Sequence, residues 1–280
     1  MALNLGSITT IINGYRDTPS FFKRNIVKEY LHIRALSFIY SNPLYQNLIF
    51  YGGSCLRHLY NLQRLSEDLD FVDVKNVGSI ETLAQEITAF FSRELGVHPI
   101  PKVQKFRTYL KFPILYELGL AKRSESNFLF IKIEICPHFP CKEYTVEMVP
   151  LFKFNTSVIV RTFDVKTLFA SKLNAVLNRE WEKTDKTTGI TVKGKGRDFF
   201  DLMWYLQRGV EPNIACVQGI KTYAELKARL ISTVEQLDTK SIRLDLESLI
   251  ADPQFVKDIS VHIKEILLRL VNEQFLDTVQ

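Results

Sequence analysis

Apolar residues recur along this chain with two different periods. Over residues 21–41, Ile26, Tyr30, Ile33, Leu36 and Ile39 follow one another at spacings of three and four, which predicts an amphipathic helix. Asn42-Pro43 stops it. The residues before Pro19 read as a polar, turn-like opening. Residues 47–51 form a short apolar run that ends at Gly52-Gly53, the mark of a strand entering a tight turn. Ser54 to about Leu62 reads as a short helix, with His58 on its surface. Residues 68–74 alternate acidic with apolar at period two and predict a strand. Residues 79–95 return to the helical period. Strands prevail from 100 to 161, most clearly over 128–135, with shorter ones at Val146–Val149 and Val158–Arg161.

From Asp164 onward the pattern is helical, over 165–181, 198–207, 221–238 and 253–275. The fold class is therefore α+β. A mixed-sheet domain is expected over residues 1–163 and a helical domain over 164–280. Between the first two of those later helices, Glu182–Arg197 carries four Thr, three Gly and five Lys or Arg, and is the candidate for a mobile loop.

Composition narrows the class. A hydrophobic fraction of 46% with 20 Phe and 11 Tyr can fill a core, which excludes disorder for most of the chain. No apolar run reaches the roughly 18 residues of a membrane span, and no secretory signal pattern opens the chain. Four cysteines in 280 residues do not make a disulfide scaffold, so a reducing cytoplasm is expected. Cys136-Pro137-His138-Phe139-Pro140-Cys141 reads as a Pro-braced turn, because Cys55 and Cys216 lack zinc-site spacing. The net charge of +5 is mild, but residues 161–197 hold nine Lys or Arg against four Asp or Glu, so the excess sits in one segment. Such a segment suits a polyanion.

The chemistry lies around that Gly-Gly turn. Glycine admits a ligand close to the backbone, and a helix starting there offers unpaired N–H groups to a phosphate. Asp68 and Asp70 follow on alternate positions of a strand, so both carboxylates share one face, about 6.6 Å apart at Cα. Like charges placed together favour a cation between them.

Gly52-Gly53-Ser54, followed by Arg64-x-Ser66-x-Asp68-Leu69-Asp70-Phe71, resembles the AbiEii/AbiGii toxin family, which includes the MenT-like tRNA nucleotidyltransferases, within the DNA polymerase β-like nucleotidyltransferase superfamily. The resemblance implies a polymerase β-like domain with a mixed sheet, then a helical domain that supplies basic residues to the site. It makes Asp68 and Asp70 ligands of Mg²⁺ or Mn²⁺. Glu134, in Ile131-Lys132-Ile133-Glu134-Ile135, would be the third ligand and base. Gly52, Gly53, Ser54, Arg64 and Ser66 would bind the nucleotide.

Two later features match the same family: Lys172 on the helix from 165, and Arg197-Asp198-Phe199-Phe200-Asp201-Leu202. Lys172, with Arg179 two turns on, would bind the triphosphate, and Asp198 would orient Lys172 or act nearer the nucleophile. The expected reaction moves a nucleoside monophosphate from an NTP to an acceptor hydroxyl, releasing pyrophosphate. A tRNA 3′ end or another RNA is the expected acceptor, translation the target, and a cognate antitoxin a partner. Transfer to a protein hydroxyl, and a nucleotide-binding module without catalysis, are the alternatives.

Overall fold

The computed structural model describes residues 4–75, 79–178, 182–184, 191–193 and 196–275. Its contacts divide the chain into two compact units: Met1–Phe139 with Val146–Thr162, and Pro140–Thr145 with Phe163–Gln280. Segment 140–145 thus travels with the second unit. No described helix is long and apolar enough to cross a membrane.

The first unit opens with α1 (Gly6–Asn13), where the sequence suggested a turn; Ile8 and Ile12 anchor it. Helix α2 (Ser20–Ser41) follows, then β1 (Ile49–Tyr51), α3 (Gly52–Leu59), β2 (Asp68–Val72) and α4 (Ile80–Leu95). Ser79 caps α4 by accepting from the amides of Glu81 and Thr82. Strands β3 (Ile100–Gln104), β4 (Arg107–Pro113), β5 (Phe128–Cys136), β6 (Val146–Lys153) and β7 (Thr156–Phe163) complete the sheet. Phe154 and Asn155, both at positive φ, join β6 to β7 as a two-residue hairpin turn.

The seven strands lie in the order β3-β4-β5-β2-β1-β7-β6. Strand β2 runs parallel to β5 and antiparallel to β1, and β1 runs parallel to β7. Period-two alternation divides the sheet's two faces. Leu69, Phe71, Leu110, Phe112, Ile131 and Ile133 are fully buried, and α2 and α4 pack on these strands. The intervening residues of β2, β4 and β5 are only partly covered, and they include every acidic residue of these strands.

His58 departs from its expected surface position. It is buried in α3, with its ring stacked on Phe50 and edge-on to His32 of α2. Helix α3 lies against β1, β2 and β6, which covers the side carrying His58. Burial, reinforced by the mutual repulsion of the two rings and by Lys153 and Arg57, holds the His58 pKa well below its ordinary value. Burial and Lys28 lower that of His32 to about 4, against the pull of Asp68 and Glu29. Both rings are therefore neutral in the fold, while the unfolded chain binds protons below about pH 6.5. Unfolding free energy is expected to fall on acidification from pH 7 towards pH 4, by up to about 1.4 kcal/mol per pH unit for each histidine. Urea melts across that range check this, and His58→Phe should flatten the slope; an unchanged slope would show that other groups set it.

The second unit contains α5 (Val165–Asn178), α6 (Gly196–Gln207), a 3₁₀ turn at Ile214–Cys216, α7 (Tyr223–Glu235), α8 (Thr239–Leu246) and α9 (Pro253–Gln274). Helix α8 escapes a sequence reading because only Ile242 and Leu246 mark its apolar side. Phe169 of α5 stacks on Tyr205 of α6 at 4.4 Å. Within the basic stretch, β8 (Glu182–Thr184) and β9 (Thr191–Lys193) pair antiparallel, where a loop was expected. The rest of that stretch up to residue 195, and Arg179 before it, lie outside the described residues.

Cys141 and Cys216, 75 residues apart, form a disulfide, where the cysteine count predicts no disulfide scaffold. The sequence carries no signal for this pairing. It arises because Asn213 Nδ2 donates to the Glu143 carbonyl and brings the 3₁₀ turn against segment 140–145.

Candidate active site

The strand order places four charged side chains on one face of two neighbouring strands. Asp68 lies opposite Lys132 and Asp70 opposite Glu134 in the parallel β2–β5 register. The row extends on both sides, with Tyr51 of β1 beside Asp70 and Arg107 of β4 beside Glu134. Lys132 Nζ sits 3.1 Å from Asp68 Oδ2 and 3.1 Å from Glu134 Oε2. Burial disfavours this ammonium, but Asp68, Asp70 and Glu134 outweigh that cost and raise its pKa. Arg107 Nε approaches Glu134 Oε2 at 3.9 Å, a looser contact. Burial, and then the charge of Asp70, push the Tyr51 hydroxyl well above its ordinary range, so Tyr51 stays a neutral donor.

The turn after β1 explains both its glycines. Gly52 has φ +80°, and a Cβ there would stand 2.7 Å from Asp70 Oδ2. The Asp70 carboxylate thus lies directly over the Gly52 backbone. A Cβ on Gly53 would meet Arg64 Nη2 at 2.6 Å and Ser66 Oγ at 3.3 Å. Arg64 is buried, donating through Nη1 to the Leu65 carbonyl at 2.9 Å. Gly53, Arg64 and Ser66, separated in sequence, therefore converge at the start of α3, where backbone N–H groups and a guanidinium suit an anion. Ser54 is different: it is buried, and its hydroxyl donates to the Asp68 carbonyl, so it ties α3 to β2.

The second constellation lies within the helical unit. Lys172 Nζ of α5 is 2.7 Å from Asp198 Oδ1 and 2.8 Å from Asp201 Oδ2 of α6. The side chains are 10%, 8% and 0% exposed, so one ammonium serves two carboxylates away from water. Asp198 occupies the first turn of α6, where the helix dipole also favours a negative charge. Asp198 therefore holds Lys172 directly, and Asp201 joins it on equal terms.

A family model described as nucleotidyl transferase AbiEii toxin, type IV toxin-antitoxin system, matches residues 34–278. The chain belongs to that AbiEii family. It is a toxin-family nucleotidyltransferase, and its fold is α+β. Two solved structures share the AbiEii chain's fold. The JHP933 protein of Helicobacter pylori is 17% identical with a TM-score of 0.52, covering 89% of this chain and 93% of its own. An H. pylori protein assigned as a nucleotidyltransferase is 16% identical with a TM-score of 0.50, covering 89% and 95%. No curated protein matches the chain.

In the AbiEii chain the motif residues Gly52, Gly53, Arg64, Ser66, Asp68, Asp70 and Glu134 all gather in the first unit, and Lys172 with Asp198 in the second. Arg179 lies outside the described residues. Sequence reading gave no role to Tyr51 and Arg107 and did not place Lys132 beside Asp68; these contacts come only through strand pairing. Alternation within Ile131-Lys132-Ile133-Glu134 was the one available signal, since it puts Lys132 on the face of Glu134.

The donor chemistry of this face fits a hard divalent cation, because Asp68, Asp70 and Glu134 offer carboxylate oxygens. Among the described residues no three such side chains already converge on one point, because Asp68 and Glu134 are turned onto Lys132 instead of onto one another. A cation is present in their midst nonetheless: the Lys132 ammonium bridges Asp68 and Glu134 as a stand-in charge.

Proposed function

We propose that this AbiEii toxin transfers a nucleoside monophosphate from an NTP to an acceptor hydroxyl at the β2–β5 carboxylate face. Asp68, Asp70 and Glu134 are the proposed ligands of Mg²⁺ or Mn²⁺. The supporting observation is their register on adjacent parallel strands, with the Asp70 carboxylate lying over Gly52 at the start of α3. A bound divalent ion would supply Lewis acidity to the α-phosphate and lower the acceptor's pKa.

The chain's own residues divide the remaining work. The amides after Gly52-Gly53, with Arg64 and Ser66 behind them, are suited to bind and orient phosphate oxygens for in-line attack. Tyr51, kept neutral, retains its hydroxyl proton and can donate it to an oxygen placed beside Asp70. Glu134 is the proposed base for the acceptor proton. Lys172 is the proposed charge for the leaving group, and Asp198, hydrogen-bonded to it, the group that orients it.

The proposed acceptor is a tRNA 3′ end, whose capping would stop translation in the cytoplasm and which a cognate antitoxin would relieve. The basic excess over residues 161–197 favours RNA over a protein hydroxyl. Incubating total RNA and lysate protein with each α-labelled nucleotide tests donor and acceptor together. Label is expected in the tRNA fraction. Label in protein alone would replace the acceptor, and triphosphate binding without transfer to either would reduce the protein to a binding module.

A further inference from the structure

The carboxylate face places a lysine among its three acids, with Arg107 at its edge. Lys132 comes from β5, two residues before Glu134, and the parallel register sets it opposite Asp68. Its ammonium is equidistant from Asp68 Oδ2 and Glu134 Oε2, at 3.1 Å from each. The Lys132 side chain is only 19% exposed, and each carboxylate 31%, so solvent screens the pair only in part. Both partners are proposed metal ligands. An ammonium and a divalent ion cannot occupy the space between the same two carboxylates, because the two cations would repel strongly at such separations. Lysine is suited to yield that place, since its charge rides on a flexible four-carbon stem.

We propose that Lys132 is a built-in counter-ion that competes with the divalent metal for Asp68 and Glu134. Without metal it neutralises the acidic face and holds β2 to β5. When the metal binds, the ammonium is displaced from both carboxylates and becomes available to a phosphate oxygen of the donor. Metal and triphosphate binding are then positively coupled through one side chain, and by linkage each strengthens the other equally. The inference rests on the metal reading given under Proposed function.

Binding of Mn²⁺ to the full-length protein, followed by electron paramagnetic resonance, tests it without using activity. Lys132→Met and Lys132→Gln are each expected to bind Mn²⁺ about tenfold or more tightly than the wild type. The glutamine form keeps a donor between the carboxylates without its charge, so tightening there isolates the charge. A second readout is the thermal midpoint. Both variants should melt earlier than wild type in EDTA and gain more from added Mn²⁺, as ligand linkage requires. Wild-type binding that is lost in Asp70→Asn, combined with unchanged or weaker binding in both Lys132 variants, overturns the competition while leaving the metal site standing. Absence of Mn²⁺ binding in wild type and variants alike overturns the metal reading, and the competition falls with it.

Discussion

Asp70→Asn is expected to reduce label transfer from an α-labelled NTP by about three orders of magnitude or more, roughly 4 kcal/mol of transition-state stabilisation. Asparagine has the shape of aspartate, so it can lie over Gly52 as Asp70 does. What it lacks is the charge proposed to bind a divalent cation, which also helps offset the Lys132 ammonium. Asp68→Ala should be as severe, since it removes the carboxylate opposite Lys132 and leaves that ammonium to Glu134. The thermal midpoint of Asp70→Asn should stay near wild type, because the acidic face is partly open to water. Transfer by Asp70→Asn within tenfold of wild type would remove this face from the reaction.

Lys172→Met is expected to act on stability first. It removes the ammonium that Asp198 and Asp201, both almost wholly buried, share. Breaking a buried pair from one side costs about 3–5 kcal/mol. That is a large share of the roughly 5–15 kcal/mol that holds a domain folded. One of the two carboxylates would take up a proton to relieve the repulsion. Chemical denaturation followed by tryptophan fluorescence, to which buried Trp204 on α6 contributes, should show the loss. The triple change Lys172→Met with Asp198→Asn and Asp201→Asn removes all three charges and should recover much of the stability. If it also recovers transfer, the cluster serves the fold alone. If it folds yet remains inactive, Lys172 and Asp198 carry part of the chemistry. A Lys172→Met protein as stable as wild type would contradict the buried triad.

The two constellations were legible to different depths. Asp68 and Asp70 stand two residues apart, and a strand needs no tertiary information to place both on one face. Lys172 is different: its helix is plain from Leu168, Phe169, Leu173 and Val176, but that it meets Asp198 and Asp201 depends on how α5 packs on α6. The disulfide between Cys141 and Cys216 had no local signal at all, since 75 residues separate its ends. Helix α1 and helix α8 went unread because each rests on only two or three buried side chains, too few to establish a period.

Local pattern sufficed wherever a residue's neighbours are near in sequence. It marked α2, α4, β2 and β5, the Gly52-Gly53 turn, the paired aspartates and the change to helices after Asp164. Strand order obeys no such local rule. Insertion of β2 between β1 and β5, with Asp70 opposite Glu134, joins segments about sixty residues apart through backbone hydrogen bonds that any sequence can make. Side-chain period says which face a residue takes, and packing of the sheet against α2 and α4 says which strand lies next to it. For that reason the acids were visible from the chain alone, whereas Lys132 as the cation between them emerged only from the folded sheet.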